Sequence, residues 1–408
     1  MSTEIIHESP SLKGAASDYW SRVKAGDIGA LPAILGLIVL CAIFGAMSDV
    51  FLTPGNFANL LTQAAAVIVI AMGLVFVLLL GEIDLSAGYA AGVSGAVLVI
   101  LITNHQVAWY IAFPISIMVG GLLGFILGTL VARVGIPSFV VTLAAFLAFQ
   151  GLLLLLAGEG GTIRIEDETI LAVQNSNLSP ILSWVFFIVV AVAYVGTGLN
   201  RINTRRRAGL KSELVKLWVI KTTSLLLITG GAVFALTVER SNNPDLVSLK
   251  GIPYVVPLIL FLLAVGTFVL GRTAFGRHIY AVGGNAEAAR RAGINVKRVR
   301  IAAFVICSAL AAVAGMIFAS RQNSISPTTG GSSTLLYAVG AAVIGGTSLF
   351  GGKGKMRDAI LGGLVVAVID NGMGLLGYAA GIKFIVTGLV LLVSAGVDAV
   401  SRRGSSVS

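Results

Sequence analysis

Residues 57–80 read FANLLTQAAAVIVIAMGLVFVLLL and residues 87–103 read AGYAAGVSGAVLVILIT, with the six-residue break GEIDLS between them. The two runs have 24 and 17 residues, and neither contains a charge. A helix needs about 20 mostly apolar residues to cross the hydrocarbon of a bilayer. Both runs are continuously apolar rather than alternating, which excludes a transmembrane strand. Two such runs joined by a short polar break read as a membrane helical hairpin. The rest of the chain repeats the pattern.

Outward from this hairpin there are twelve apolar segments, from Ile28–Met47 to Gly381–Asp398. The tenth, Leu335–Gly345, is short and glycine-rich; it either extends back through Ser333 or is a broken or re-entrant helix. Composition agrees with an all-α polytopic membrane protein: of 408 residues, 57% are hydrophobic, 11% are charged and 50 are glycine. A soluble domain carries roughly 25% charged residues. A soluble single-core enzyme, a disordered chain and a disulfide scaffold are thereby excluded. The expected organisation is a polar tail over residues 1–27, a membrane region over 28–399 and a short tail over 400–408.

Orientation follows from the loops, because Lys and Arg accumulate on the cytoplasmic side. With the N-terminus placed inside, 22 of the 28 basic residues fall in cytoplasmic segments and 5 in outer ones, with Lys221 inside a span. An even number of spans with both termini cytoplasmic gives this bias, and a miscount by one would scramble it. The net charge of +10 is then a topological signal beside anionic lipid head groups. The basic loops carry no interleaved aromatics, so nucleic-acid binding is not expected. Cys41 and Cys307 both lie inside apolar segments, with no spacing for a disulfide or a metal.

The informative places are the polar breaks. Glu82, Asp84 and Ser86 form either a tight turn, with Asp84 or Ser86 capping the next helix, or the inner mouth of a solute path. Residues 345–354 (GGTSLFGGKG) fail as a phosphate loop, because the register puts Thr347 where glycine is needed and Gly354 where a hydroxyl is needed. Asp370 and Asn371 sit near the middle of the eleventh segment. Ionised Asp there costs about 2.5–3.5 kcal/mol unless it faces protein or water. It therefore lines a solute path, pairs with Lys383 across the short outer turn, or makes a buried helix contact. Gln63 and Gln150 are milder cases.

The basic loop 272–300 contains a short, complete helix. Asn285 caps its start, and Glu287 meets the positive end of the macrodipole. Ala288 and Ala289 build its body, Arg290 and Arg291 meet the negative end, and Gly293 supplies a left-handed stop. Such a segment suits docking into a groove of another protein. The chain has no catalytic constellation, no metal site and no nucleotide-binding loop, so no catalytic residue and no cofactor are expected on it.

Several runs, taken together, resemble the monosaccharide permeases of ATP-binding-cassette importers, the ribose/galactose/xylose branch. They are Gly276–Asn285 (GRHIYAVGGN), Glu287 through Gly293 to Asn295, Gly81–Ser86, Pro137–Leu143 (PSFVVTL), Val343–Gly354 and Asn371–Gly377. Their order and spacing hold from about Leu31 to Asp398. An additional stretch, about 181–237, supplies two further spans and resembles the longer, xylose-type members. The resemblance implies a passive gate in the bacterial inner membrane, paired with a second permease copy. It also implies cytoplasmic ATPase subunits that bind the ATP and an extracytoplasmic sugar-binding protein. The segment Asn285–Gly293 matches the family's coupling region, and Phe139 and Thr142 join Glu82, Asp84, Ser86, Gln63, Asp370 and Asn371 as candidates for the path or gate. Two alternatives remain: a permease of the same type for a nucleoside or amino acid, and an ion-coupled transporter using Asp370.

Overall fold

The computed structural model describes residues 29–158, 161–208, 215–241 and 243–405. The expected N-terminal tail, 1–27, lies outside them. The structure is almost wholly helical, and each of the twelve apolar segments coincides with a helix. Among the described residues, eight helices are long and apolar enough to cross a membrane, and four apolar helices are shorter. Backbone contacts divide the chain into a larger unit, Gly29–Ser176 with Pro253–Asp398, and a smaller one that includes Asn177–Ile252.

In the larger unit, α1 (Leu31–Met47) leads to α2 (Pro54–Leu78) and α3 (Ala87–Thr103). Then come α4 (Trp109–Thr129, continued by a π turn over Leu130–Val134), α5 (Ser138–Ala157) and the short α6 (Glu168–Asn175). Helix α2 starts where Thr53 Oγ1 accepts from the Asn56 amide at 3.3 Å, with Pro54 in the first turn. Its 25 residues span roughly 37 Å at 1.5 Å each. Seventeen of them are buried, which makes α2 a core rod rather than a lipid-facing helix.

After the smaller unit the chain returns with α9 (Val255–Arg272), α10 (Ala274–Gly284), α11 (Ala286–Arg291) and α12 (Val296–Gln322). It ends with α13 (Ser332–Ile344), α14 (Met356–Leu375) and α15 (Ala380–Ser405). The tenth segment is thus one 13-residue helix beginning at Ser332. The region expected as a tail from residue 400 continues α15 through Ser405.

The core forms where α12 packs against α2, α3 and α4. Small residues make this possible, since lipid gives apolar helices little reason to associate unless their backbones approach closely. On α4, Gly120, Gly124 and Gly128 recur every fourth residue and face α12. A Cβ on Gly120 would lie 2.5 Å from Ser308 O, and one on Gly128 would lie 2.8 Å from Ile301 Cα. Beyond α12, strand β1 (Ile163–Arg164) pairs antiparallel with β2 (Ser324–Ile325). In the smaller unit, α7 (Pro180–Arg207) and α8 (Val215–Thr237) form a hairpin. The chain that closes this unit is pinned by Glu239, which accepts from Leu249 N at 2.9 Å, Ser241 N at 3.0 Å and Ser248 Oγ at 2.7 Å.

Candidate functional site

The candidate residues fall into two groups at opposite ends of α2. At its C-terminal end, residues 81–86 fold over the start of α5. Ser138 Oγ accepts from Ile83 N at 3.3 Å, and Thr142 Oγ1 donates to Ile83 O at 3.2 Å. Glu82 forms an ion pair with Arg300 at 3.1 Å, tying this break to the first turns of α12. Asp84 is fully buried; its Oδ1 accepts from Ser86 N at 2.9 Å and Ser86 Oγ at 2.6 Å. Of the two expected caps of α3, Ser86 makes no side-chain cap, whereas the Asp84 carboxylate accepts from the Ser86 and Ala87 amides at the start of the helix. Phe139 stands apart with 55% of its surface exposed.

The coupling candidates adjoin the same end of α2. Asn285 Oδ1 accepts from Ala288 N at 2.9 Å, as an N-cap should, and Gly293 adopts φ +84°. Glu287 reaches both Arg290, at 2.9 Å, and Arg291, at 3.2 Å. These charge-assisted bonds hold the Glu287 carboxyl below its usual range. Ala289 is the buried residue of the turn.

Sequence reasoning missed α10, the helix that carries this segment. Thr273 Oγ1 caps it by accepting from Gly276 N at 3.1 Å, and it buries Gly276, Ile279 and Val282. The helical spacing of Phe275, Ile279 and Val282 was the available signal. The Phe275 ring stacks on Phe76 of α2 with centroids 6.5 Å apart. Gly283 presses against Leu79 O so closely that no Cβ fits, and Leu79 O also accepts from Gly352 N at 2.9 Å. Tyr280 Oη donates to Gly354 O at 2.7 Å. The rejected phosphate loop is therefore a glycine turn docked on α10, where Asp358 Oδ2 accepts from Lys355 N at 2.7 Å.

At the N-terminal end of α2 lies an amide network. Asn56 and Asn371 exchange reciprocal hydrogen bonds, each 2.9 Å. Asn371 Nδ2 also donates to Gln63 Oε1 at 3.4 Å. Gln63 Nε2 donates to Asp370 Oδ2 at 2.7 Å, and Lys383 Nζ sits 3.4 Å from Asp370 Oδ1. Asp370 is five residues from the end of α14, not near its middle. That position lets a lysine from α15 reach it. Nearby, Arg321 donates to Thr62 Oγ1 at 3.1 Å. Asn56 is a member of this network that sequence reasoning missed. Among the described residues, no group of acidic, histidine or cysteine side chains could hold a metal ion.

Polar groups thus gather at the two ends of the buried helix α2, and comparisons with known proteins place the chain in a family. The model of a family described as "Branched-chain amino acid transport system / permease component" matches residues 56–395. The chain is 35% identical over 394 residues to the Xylose transport system permease protein XylH of Escherichia coli (strain K12), covering 95% of this chain and 96% of that one. It is 32% identical over 387 residues to XylH of Haemophilus influenzae, covering 94% and 99%. It is 28% identical over 367 residues to the Ribose import permease protein RbsC of Haemophilus influenzae, covering 90% and 92%. No solved structure matches. With nearly all of its membrane helices inside the matched region, the chain belongs to the branched-chain amino acid transport system / permease component family of multi-pass membrane proteins.

Proposed function

We propose that this chain is the membrane-spanning permease subunit of an ATP-driven sugar importer, translocating xylose or a related pentose or hexose. The observation that carries the mechanism is the junction of Leu79, Gly283 and Gly352, where α10 is seated on the end of α2. Movement of the α10–α11 segment is transmitted to a rod whose other end holds the Gln63–Asp370–Asn371 network. The segment Asn285–Gly293 docks into a cytoplasmic ATPase subunit, which binds and hydrolyses the ATP. Opposite it, the amide network meets solute released by an extracytoplasmic sugar-binding protein. Neutral amides suit a neutral polyol that needs only transient hydrogen bonds. Glu82, Asp84, Ser86 and Thr142 hold the inner end of the path, with Phe139 beside it.

This reading has twelve spans with both termini cytoplasmic, in the bacterial inner membrane, and a second permease copy. Relatives named for xylose and for ribose support a monosaccharide, and the longer, xylose-type relatives match at higher identity. The family description speaks instead for a branched-chain amino acid. Against ion coupling stands the engagement of Asp370 by Lys383 and Gln63.

The test is reconstitution with a cognate ATPase and binding protein in proteoliposomes. ATP hydrolysis should rise with xylose-loaded binding protein and not with leucine. Uptake driven by an ion gradient without ATPase would overturn this reading.

A further inference from the structure

Where α4 turns into α5, an apolar cavity and a set of unpaired cations lie together. The cavity, about 360 Å³, runs between the two helices, and every residue lining it is apolar. That volume is within the roughly 300–1,000 Å³ of small-molecule sites. Ile136, Val140 and Ala148 on its wall are exposed, so it opens on the outer surface of the helices. From Val140 to Phe149 the wall follows nine residue steps of α5. At 1.5 Å per step that is about 14 Å, close to one leaflet of a hydrocarbon core about 30 Å thick.

The cations stand at one end of this groove. Arg133 follows Leu130 by three residues and precedes Ile136 by three, and both of those line the cavity. The π turn that carries Arg133 packs against α12. Lys297 and Arg298 precede Ile301 by four and three residues, so they share the face on which Ile301 meets Gly128 of α4. Arg133, Lys297 and Arg298 are exposed, and among the described residues none of their side chains has an ion-pair or hydrogen-bond partner. Arg300, in the same first turns of α12, is already taken by Glu82. Free cations beside an apolar groove of leaflet depth match the two halves of a phospholipid, phosphate and acyl chain, in the order a leaflet stacks them.

We propose that an anionic phospholipid occupies this site, with one acyl chain in the cavity and its phosphate held by Arg133, Lys297 and Arg298. The headgroup then fastens the α4–α5 turn to the first turn of α12. The site needs a membrane but no particular cargo, so it stands or falls apart from the sugar reading. The test is native mass spectrometry of the full-length chain in detergent, incubated with phosphatidylglycerol or phosphatidylcholine. Phosphatidylglycerol should be retained about tenfold or more in preference. The triple variant Arg133→Gln, Lys297→Gln, Arg298→Gln should lose that preference, each cation accounting for about fivefold. The variant Arg205→Gln, Arg206→Gln, Arg207→Gln removes as much charge from α7 and should keep it. Ala148→Phe fills the cavity from its exposed side and should weaken retention of phosphatidylglycerol while the melting temperature holds. Equal retention of the two lipids, an equal loss in the α7 variant, or full retention in Ala148→Phe would each overturn the proposal. Displacement of the lipid by inorganic phosphate would overturn it too, and make the cations a site for a free anion.

Discussion

Asp370 illustrates how one carboxylate is held at the edge of a membrane core. Its two oxygens are shared between Gln63 at 2.7 Å and Lys383 at 3.4 Å. Asp370→Asn leaves Lys383 partly buried without a counter-charge and should cost about 1–3 kcal/mol. Lys383→Met should do the same in reverse. The double variant should recover most of the loss, because the stranded charge disappears with its partner. Melting of the detergent-solubilised chain checks all three, and ATP-driven uptake should survive in the double variant. Glu239 offers a titration. Hydrogen bonds from Leu249 N, then Ser241 N and Ser248 Oγ, lower its pKa from 4.5 to about 2. A depressed carboxyl holds its loop fully above about 4.5 and releases it as the pH falls from there towards about 2. The protection factor of the Leu249 amide, taken against its intrinsic exchange rate at each pH, should fall over that window in the wild type. Glu239→Gln should already be fast at neutral pH and show no such step. A pairing of Asp370 with Lys383 was legible because the two flank one short turn. The Asn56–Asn371 pair was not, because only tertiary packing brings α2 to α14.

At the scale of elements, the short helices α10 and α11 carry the proposed coupling. The caps of α11 were readable from Asn285, Glu287 and Gly293 because capping is local chemistry. Helix α10 was hidden in a stretch that charge alone marks as loop, and α6 in one read as an outer connection, although Asp167 caps α6 by accepting from Ile170 N at 2.9 Å. Gly293 at φ +84° favours glycine, so Gly293→Ala should cost about 1 kcal/mol locally. Replacing Glu287 and Gly293 together should collapse transport while the chain still inserts, read by uptake beside membrane fractionation. Gly283→Val probes the other side of the junction. Any side chain there meets Leu79 O, so α10 must lift from α2. Stimulation of ATP hydrolysis by loaded binding protein should then fall more than tenfold, with basal hydrolysis retained. Normal stimulation in that variant would detach the junction from the mechanism.

The whole molecule combines a well-packed core and an appended hairpin, and their stability follows different rules. The helices of the core lock by backbone approach, so its glycines could be counted in the sequence but their partners could not be assigned. The apolar segments were legible because twenty-residue periodicity needs no partner. Where the hairpin leaves and re-enters, the chain is stitched twice: Tyr254 N donates to Ser176 O at 3.1 Å, and Leu178 N donates to Ile252 O at 2.8 Å. A short Gly-Ser link in place of Asn177–Ile252 should therefore close without strain, and the shortened chain should still insert and transport. Loss of insertion would show that the smaller unit is needed for folding.

That double stitch has a consequence for how such a chain could lengthen. Ends that already touch accept any excursion that returns to the same side, and two crossings are the smallest excursion through a bilayer that does. A single added helix would turn every later segment over and, in the function proposed here, face α10 and α11 away from the ATPase. Growth in pairs is the smallest change that keeps that proposed coupling.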